Sequence, residues 1–375
     1  MRKRGWLMAA GGLLSAALIA AAAVCLGSGC STLGYYAQAV NGHLDLLQSA
    51  RPVADWVADP ATPPGLRDRL QLSQRMRDFA VAELKLPDTA SYRRYADLNR
   101  GAAVWNVVAA PELGLSLKTW CFPVLGCVGY RGYYTREPAD ALAAELRGQG
   151  WETMVYGVPA YSTLGYSNWV GGDPLLNTFI HGSEGELARL IFHEMSHQVA
   201  YANDDTTFNE SFATAVERIG GQRWLQRHGS EAARTENTRQ QRYQQDFRAF
   251  TLRWRAEFHT LYSSDGADAT KRERKASLMA RLRAEYEAMK AGPWGGYAGY
   301  DAWFQRANNA SFAVLAAYNE LVPDFERLFE RCGGDWGRFY AEVKGLAALP
   351  KAERRAKLAS PPQKESERGR HQNPP

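Results

Sequence analysis

The sequence predicts an α+β fold that is mainly helical, with a small mixed sheet beside one short helix carrying two histidines. Three observations predict it. Apolar residues recur at helical spacing over 69–86, 137–149, 186–201, 208–220, 231–262, 269–290 and 308–329. Short runs rich in Val, Trp, Tyr and Thr occur only in the amino-terminal half, at 104–110, 116–121, 130–134 and 151–158. Helical patterns then dominate the carboxy-terminal half.

The chain opens with Arg2, Lys3 and Arg4, then an apolar run from Trp6 to Leu26, then Gly27, Ser28, Gly29 and Cys30. A basic start, an apolar run and small residues describe an export signal. Small residues directly before a cysteine mark 1–29 as a lipoprotein signal and Cys30 as the lipidated residue. An ordinary signal peptide and an uncleaved membrane-spanning helix stay open, since the run is long enough for either. Cys25 is a poorer alternative to Cys30. No later stretch is long and apolar enough to span a bilayer, so the remainder is expected to be soluble and tethered.

Ala39, Leu44 and Leu47 suggest a helix within 33–53 that ends at Pro52. Segment 69–86 is an amphipathic helix stopped by Pro87, after a loop with three prolines in 59–65. VWNVVAA is a strand, 116–121 and 130–134 are short extended segments, and 137–149 is a helix with Pro138 in its first turn. WETMVYGV over 151–158 is a further strand ended by Pro159. Asp173 is expected to cap a turn or to hydrogen-bond near the site.

Ser183 and Glu186 suit a capping box for a helix over 186–201. Thr207 and Glu210 suit a second box for a helix over 208–220, which Gly220 can end. Two long helices, 231–262 and 269–290, are broken at Ser263–Gly266 and form a hairpin with one solvated face. The glycine-rich stretch 292–299 is expected at the rim of a cleft. The domain divides into an α+β part, 30–180, and a helical part, 181–345. The charged, proline-containing segment 346–375 is expected to be a disordered tail.

His193 and His197 lie four residues apart and share one helix face, with Glu194 beside the first. Two neutral imidazoles at that spacing hold zinc, and a carboxylate between them can take a proton from an attacking water. Zinc needs a third protein ligand. The following helix offers Glu210, with Glu217 two turns on as the rival. The alternative is a solvated histidine pair that binds nothing. Farther along, Asn309 or Tyr318 can face the cleft and stabilise an oxyanion or bind substrate. A tyrosine hydroxyl tied to a buried carboxylate explains Tyr318 equally well.

The His-Glu-x-x-His stretch and the downstream Asn209-Glu210-x-x-Ala213 resemble the gluzincin group of zincin-like metallopeptidases. The chain as a whole resembles the bacterial "putative aminopeptidase" family of lipid-anchored periplasmic zinc proteins. Six stretches carry this: Cys30 with STLGYY (Ser31–Tyr36), YSTLG (Tyr161–Gly165), DPLLNT (Asp173–Thr178), the zinc helix, NESFAT, and NNASFAVLAAYNELVP (Asn308–Pro323). The resemblance implies His193, His197 and Glu210 as ligands of one Zn2+ and Glu194 as general base. It offers Tyr161–Gly165 as an edge strand that pairs with substrate backbone, beside the alternative of an aromatic loop in the core. By resemblance to bacterial lipoproteins, Ser31 after the cysteine implies the outer membrane, hence the periplasmic side of the envelope.

The formal charge of +5 falls by three, to about +2, once Arg2, Lys3 and Arg4 are removed. With no aromatic-studded basic patch, nucleic acid is excluded as a partner. The expected partners are a peptide or polypeptide and, through the lipid, a membrane; oligomeric state is not legible. Cys121 and Cys127 flank FPVLG and are expected to form a disulfide in an oxidising compartment, leaving Cys332 free; another pairing stays open. Three functions follow: an aminopeptidase, with Glu217, Glu320 or Asp173 as candidates to bind the free amine; an envelope endopeptidase; or a non-enzymatic anchored assembly factor. Glu194 argues against the last, because a structural zinc site has no need of a base.

Overall fold

The computed structural model describes residues 30–122, 126–160, 163, 164, 168 and 171–359. The expected signal 1–29, the Cys30 side chain, the end of the tail and most of Tyr161–Gly165 lie outside the described residues.

The first helix, α1 (Cys30–Ser49), leads into β1 (Arg51–Pro52), α2 (Val53–Ala58) and α3 (Pro64–Ala82). There follow β2 (Arg94–Ala96), β3 (Val104–Pro111), β4 (Trp120–Phe122), β5 (Gly126–Val128), β6 (Arg131–Tyr133), α4 (Arg136–Gly148), β7 (Trp151–Val158) and β8 (Leu175–Leu176). The helical half holds α5 (Asn177–Ile180), α6 (Glu184–Ser196), α7 (Thr206–His228), α8 (Glu231–Ser263), α9 (Asp268–Ala291) and α10 (Asp301–Arg306). It ends with α11 (Asn309–Asn319), α12 (Val322–Arg331), α13 (Trp336–Ala347) and α14 (Lys351–Ala359).

The main sheet is antiparallel in the order β6-β3-β7, with Val104 opposite Val158 and Pro111 opposite Trp151. A second sheet, β1-β2-β8, is mixed, and β4 with β5 forms a hairpin. Strand β3 is apolar on both faces because both are covered. Val107 and Ala109 pack with Ala139, Ala143 and Leu146 of α4, and Val108 and Ala110 with Ala310, Ala313 and Val314 of α11. Helix α11 packs against α7, which packs against α6. The sheet, α11, α7 and α6 therefore lie in succession, as expected of a mainly helical fold with a small sheet beside the histidine helix.

The hairpin of α8 and α9 packs within the domain. Phe247, Phe250, Trp254, Phe258, Met279, Leu282 and Tyr286 form an aromatic cluster joined to α11 through Phe312. Trp294 is buried in this cluster, and 294–297 line a cavity with Glu236 and Tyr243 of α8, apart from the one at His193 and His197. Asn309 is fully buried and bonds Tyr262, Glu152 and the carbonyls of Pro111 and Glu112, so it ties α11 to the sheet and does not face the cleft.

The tail expectation is corrected for 346–359: Leu346 and Ala347 close α13, and Lys351–Ala359 form α14. Arg354 there is buried and bonds the carbonyls of Leu346, Ala347 and Leu349 and the Asp205 carboxylate. A low apolar content concealed a helix held by Arg354, Arg355 and the buried Leu358.

Candidate metal centre

Helix α6 begins with the expected capping box, in which Ser183 accepts from the Glu186 amide and Glu186 from the Ser183 amide. Its inner face is buried through Leu187, Ile191, Phe192 and Met195, all 1 % exposed or less. Burial of each contributes about 1.5–3 kcal/mol, which holds the ligand-bearing helix in place. The helix ends at Ser196, not at 201, and His197 is its C-cap residue.

The link to α7 is stapled by Asn209, whose side chain accepts from the Ala202 N–H at 2.8 Å and donates to its carbonyl at 2.9 Å. The residue that caps α7 is Asp205, which accepts from the Phe208 N–H; Thr207 lies inside the helix. Asp205 is held by Arg354 at 2.8 Å and by Arg355. Burial opposes ionisation of Asp205, but the arginines and the Phe208 amide outweigh it and keep the carboxyl below its ordinary range. Helix α7 runs through Gly220 rather than ending there. A Cβ at Gly220 would lie 2.6 Å from Leu84 and 3.0 Å from Phe192, so this glycine permits close packing of α7 on α6.

That packing brings His193, His197 and Glu210 together, all buried, with one ligand atom of each within 4.8 Å of the others. Glu210 Oε2 is 3.4 Å from His193 Nε2 and 3.8 Å from His197 Nε2. Two ligands of one tetrahedral zinc at ordinary bond lengths lie about 3.3 Å apart, so the spacing fits a metal ion. Glu217, the rival ligand, sits on the other ring nitrogen instead: its Oε2 is 2.9 Å from His193 Nδ1. An acceptor there directs the His193 proton to Nδ1 and leaves Nε2 free for a metal.

The charges call for a cation. Burial opposes protonation of His193, yet Glu210 and Glu217 outweigh it and hold its proton well above the usual histidine range. Burial lowers His197 to about 4, so its ring is neutral. Burial raises Glu194 to about 8, and its Oε2 has no hydrogen-bond partner among the described residues. An orphaned buried carboxylate oxygen beside two imidazoles and a second carboxylate is what a metal ion and an ordered water would satisfy.

A cavity of about 260 Å³ opens onto His193, Glu194, His197 and Glu210. Tyr318 of α11 lines it, its ring 6.3 Å from that of His193 and stacked on it, and its hydroxyl beside Glu210. Tyr130 and Asn106 of the sheet region also line it, and Tyr130 feels Glu210, Tyr201, Tyr156 and Glu194 once buried. Sequence reading placed Tyr130 and Asn106 only in or beside strands. Their one signal is strand alternation, which does not say which face meets the metal helix.

The three carboxylates considered for a substrate amine do not gather at the cavity. Glu217 is on His193, Glu320 is exposed, and Asp173 is bound to Thr163 by its N–H (3.0 Å) and hydroxyl (2.8 Å). Asp173 so fixes the turn, and its charge also reaches Glu194. Thr163 and Leu164, the described members of Tyr161–Gly165, are not in a strand. Cys121 and Cys127 form the expected disulfide across the β4–β5 hairpin, and Cys332 is free and buried. The hairpin meets the start of α7, where Asp204 accepts from the Cys127 N–H at 2.6 Å. His259 is exposed, and His228 packs on Trp224 and Phe79.

A family model described as "putative aminopeptidase" matches residues 34–358. No curated protein and no solved structure matches the chain.

Proposed function

The chain belongs to the family described as "putative aminopeptidase", and from that premise we propose that it is a zinc-dependent peptidase. The observation that carries the reading is the convergence of His193, His197 and Glu210 beside a buried Glu194 whose Oε2 has no hydrogen-bond partner among the described residues. His193, His197 and Glu210 would hold one Zn2+, and Glu217 would orient His193. When bound, the metal supplies Lewis acidity toward a carbonyl oxygen and toward water.

The chain's own residues do the rest. Glu194 takes the proton of the attacking water and returns it to the leaving amine. Tyr318, which lines the same cavity, would donate to the oxyanion as the carbonyl becomes tetrahedral. Export through residues 1–29, lipid attachment at Cys30 and a periplasmic, outer-membrane position belong to the same proposal, supported by the sequence pattern. Among the described residues no helix is long and apolar enough to cross a membrane. Cys30→Ala would move the protein from the membrane fraction to the soluble one.

An endopeptidase is the second reading. One observation favours it: among the described lining residues, no carboxylate besides Glu194 and Glu210 faces the cavity to receive a free amine. The test is mass-resolved hydrolysis of peptides with free and with blocked amino termini, alongside Glu194→Gln and a metal assay. Stepwise loss of amino-terminal residues, abolished by the block and by the substitution, is expected. Internal cuts that ignore the block would establish the endopeptidase. Zinc binding with no Glu194-dependent cleavage of any peptide would sink both.

A further inference from the structure

Residues 35, 38, 39, 42 and 46 of α1 fall toward one side at helical spacing. That side meets β6, the cavity and the core. At Gly42 the helix backbone approaches Tyr134 so closely that a Cβ would lie 2.2 Å from the ring. Leu46 is buried in the main core. One turn before Gly42, Gln38 takes up the outer edge of β6. Its Nε2 donates to the Gly132 carbonyl at 3.4 Å, and its Oε1 accepts from the Tyr134 N–H at 3.2 Å.

Strand β6 pairs with β3 on its other side. Its outer edge is therefore where an extended peptide would add as a further strand. Gln38 makes the two bonds that such a strand would make. On either side of it along the helix, Tyr35 and Ala39 line the cavity that His193, Glu194 and His197 share. Tyr35 is held in place by the Arg131 guanidinium, 4.1 Å from the centre of its ring. The rings of Phe122 and Tyr133 pack on it at 5.6 and 5.5 Å.

We propose that α1 is the end wall of the substrate cleft: Gln38 closes the edge of β6, and Tyr35 with Ala39 stops the cavity, so the site receives the end of a peptide and not its interior. This rests on the peptidase reading and chooses the exopeptidase within it. The substrate class is then a peptide with a free amino terminus, whose first residue lies against an aromatic and otherwise uncharged wall. Tyr35 and Gln38 act as specificity-determining residues and take no part in the bond cleavage.

The test compares leucine hydroxamate with an Ala-Ala-Ala-Leu hydroxamate on the zinc-loaded full chain, by calorimetry. Both reach the metal, but the second must extend past the wall. The wild type should bind the longer probe at least tenfold more weakly. Tyr35→Ala and Gln38→Ala should reduce that gap to under threefold, read within each variant as the ratio of its affinities for the two probes. Equal binding of the two probes by the wild type, or no binding of either, overturns the proposal. So does a gap that persists in folded variants. Should Tyr35→Ala fail to fold, Gln38→Ala carries the test, since it removes only a side-chain amide from a strand edge. Probe binding needs no turnover, so a missing Glu194-dependent hydrolysis would sink the peptidase reading and leave the wall standing.

Discussion

Replacing Glu217 by alanine removes the acceptor on His193 Nδ1 without touching the three residues that converge on the other side of that ring. The bond is 2.9 Å long, with His193 buried and the Glu217 side chain one quarter exposed. A hydrogen bond to a charged group contributes about 1.5–3 kcal/mol, and partial solvent screening places this one toward the lower end. Supporting partners of metal-bound histidines are worth about 10–100-fold in metal affinity, or roughly 1.4–2.7 kcal/mol, which agrees. Glu217→Ala should therefore weaken zinc binding by about tenfold or somewhat more in a competition titration against a chromophoric chelator. Glu217→Gln keeps an oxygen acceptor and should recover most of the loss, whereas Glu210→Ala should lose far more than either. If Glu217→Ala binds zinc within twofold of wild type, the support role is wrong. If it loses zinc as completely as His193→Ala, Glu217 is a ligand and the assignment of Glu210 fails.

Asp205→Asn strips the partner from buried Arg354, and breaking such a pair costs about 3–5 kcal/mol, read as a lower denaturant midpoint. The native Asp205 carboxyl titrates below its unfolded value, so its contribution is present above about pH 4 and lost as pH falls through the folded pKa. The variant should accordingly show a flatter fall of stability below pH 4; an unchanged acid limb would refute this. Gly220→Ala puts a methyl 2.6 Å from Leu84 and should destabilise by about 1–3 kcal/mol, with weaker zinc binding as α7 is pushed from α6. Reducing Cys121–Cys127 opens a short loop and should cost about 2 kcal/mol in the same denaturation assay. Stability indifferent to reductant would show that the hairpin is held by other contacts.

The sequence by itself determined whatever is set within a few turns of chain. The His193–His197 pair, Glu194, the Ser183–Glu186 box, the strands around 104–110 and 151–158 and the long hairpin all follow from local period and capping. The disulfide was legible because only six positions separate its cysteines. Sequence also narrowed the third ligand to Glu210 or Glu217, and could go no further. Those two lie on roughly the same face of one helix, about 10 Å apart along its axis, so helical pattern alone does not separate them. Tertiary structure separates them, through where α7 begins. Asn209 staples it to Ala202, Asp205 caps it, and Arg354 from a segment expected to be a disordered tail grips that cap. The start of α7 thereby sets Glu210 level with both Nε2 atoms and Glu217 level with Nδ1. The end of the cleft was hidden for the same reason. Gln38 and Gly132 are 94 residues apart, and a polar side chain on a helix carries no sign that it will complete a strand edge.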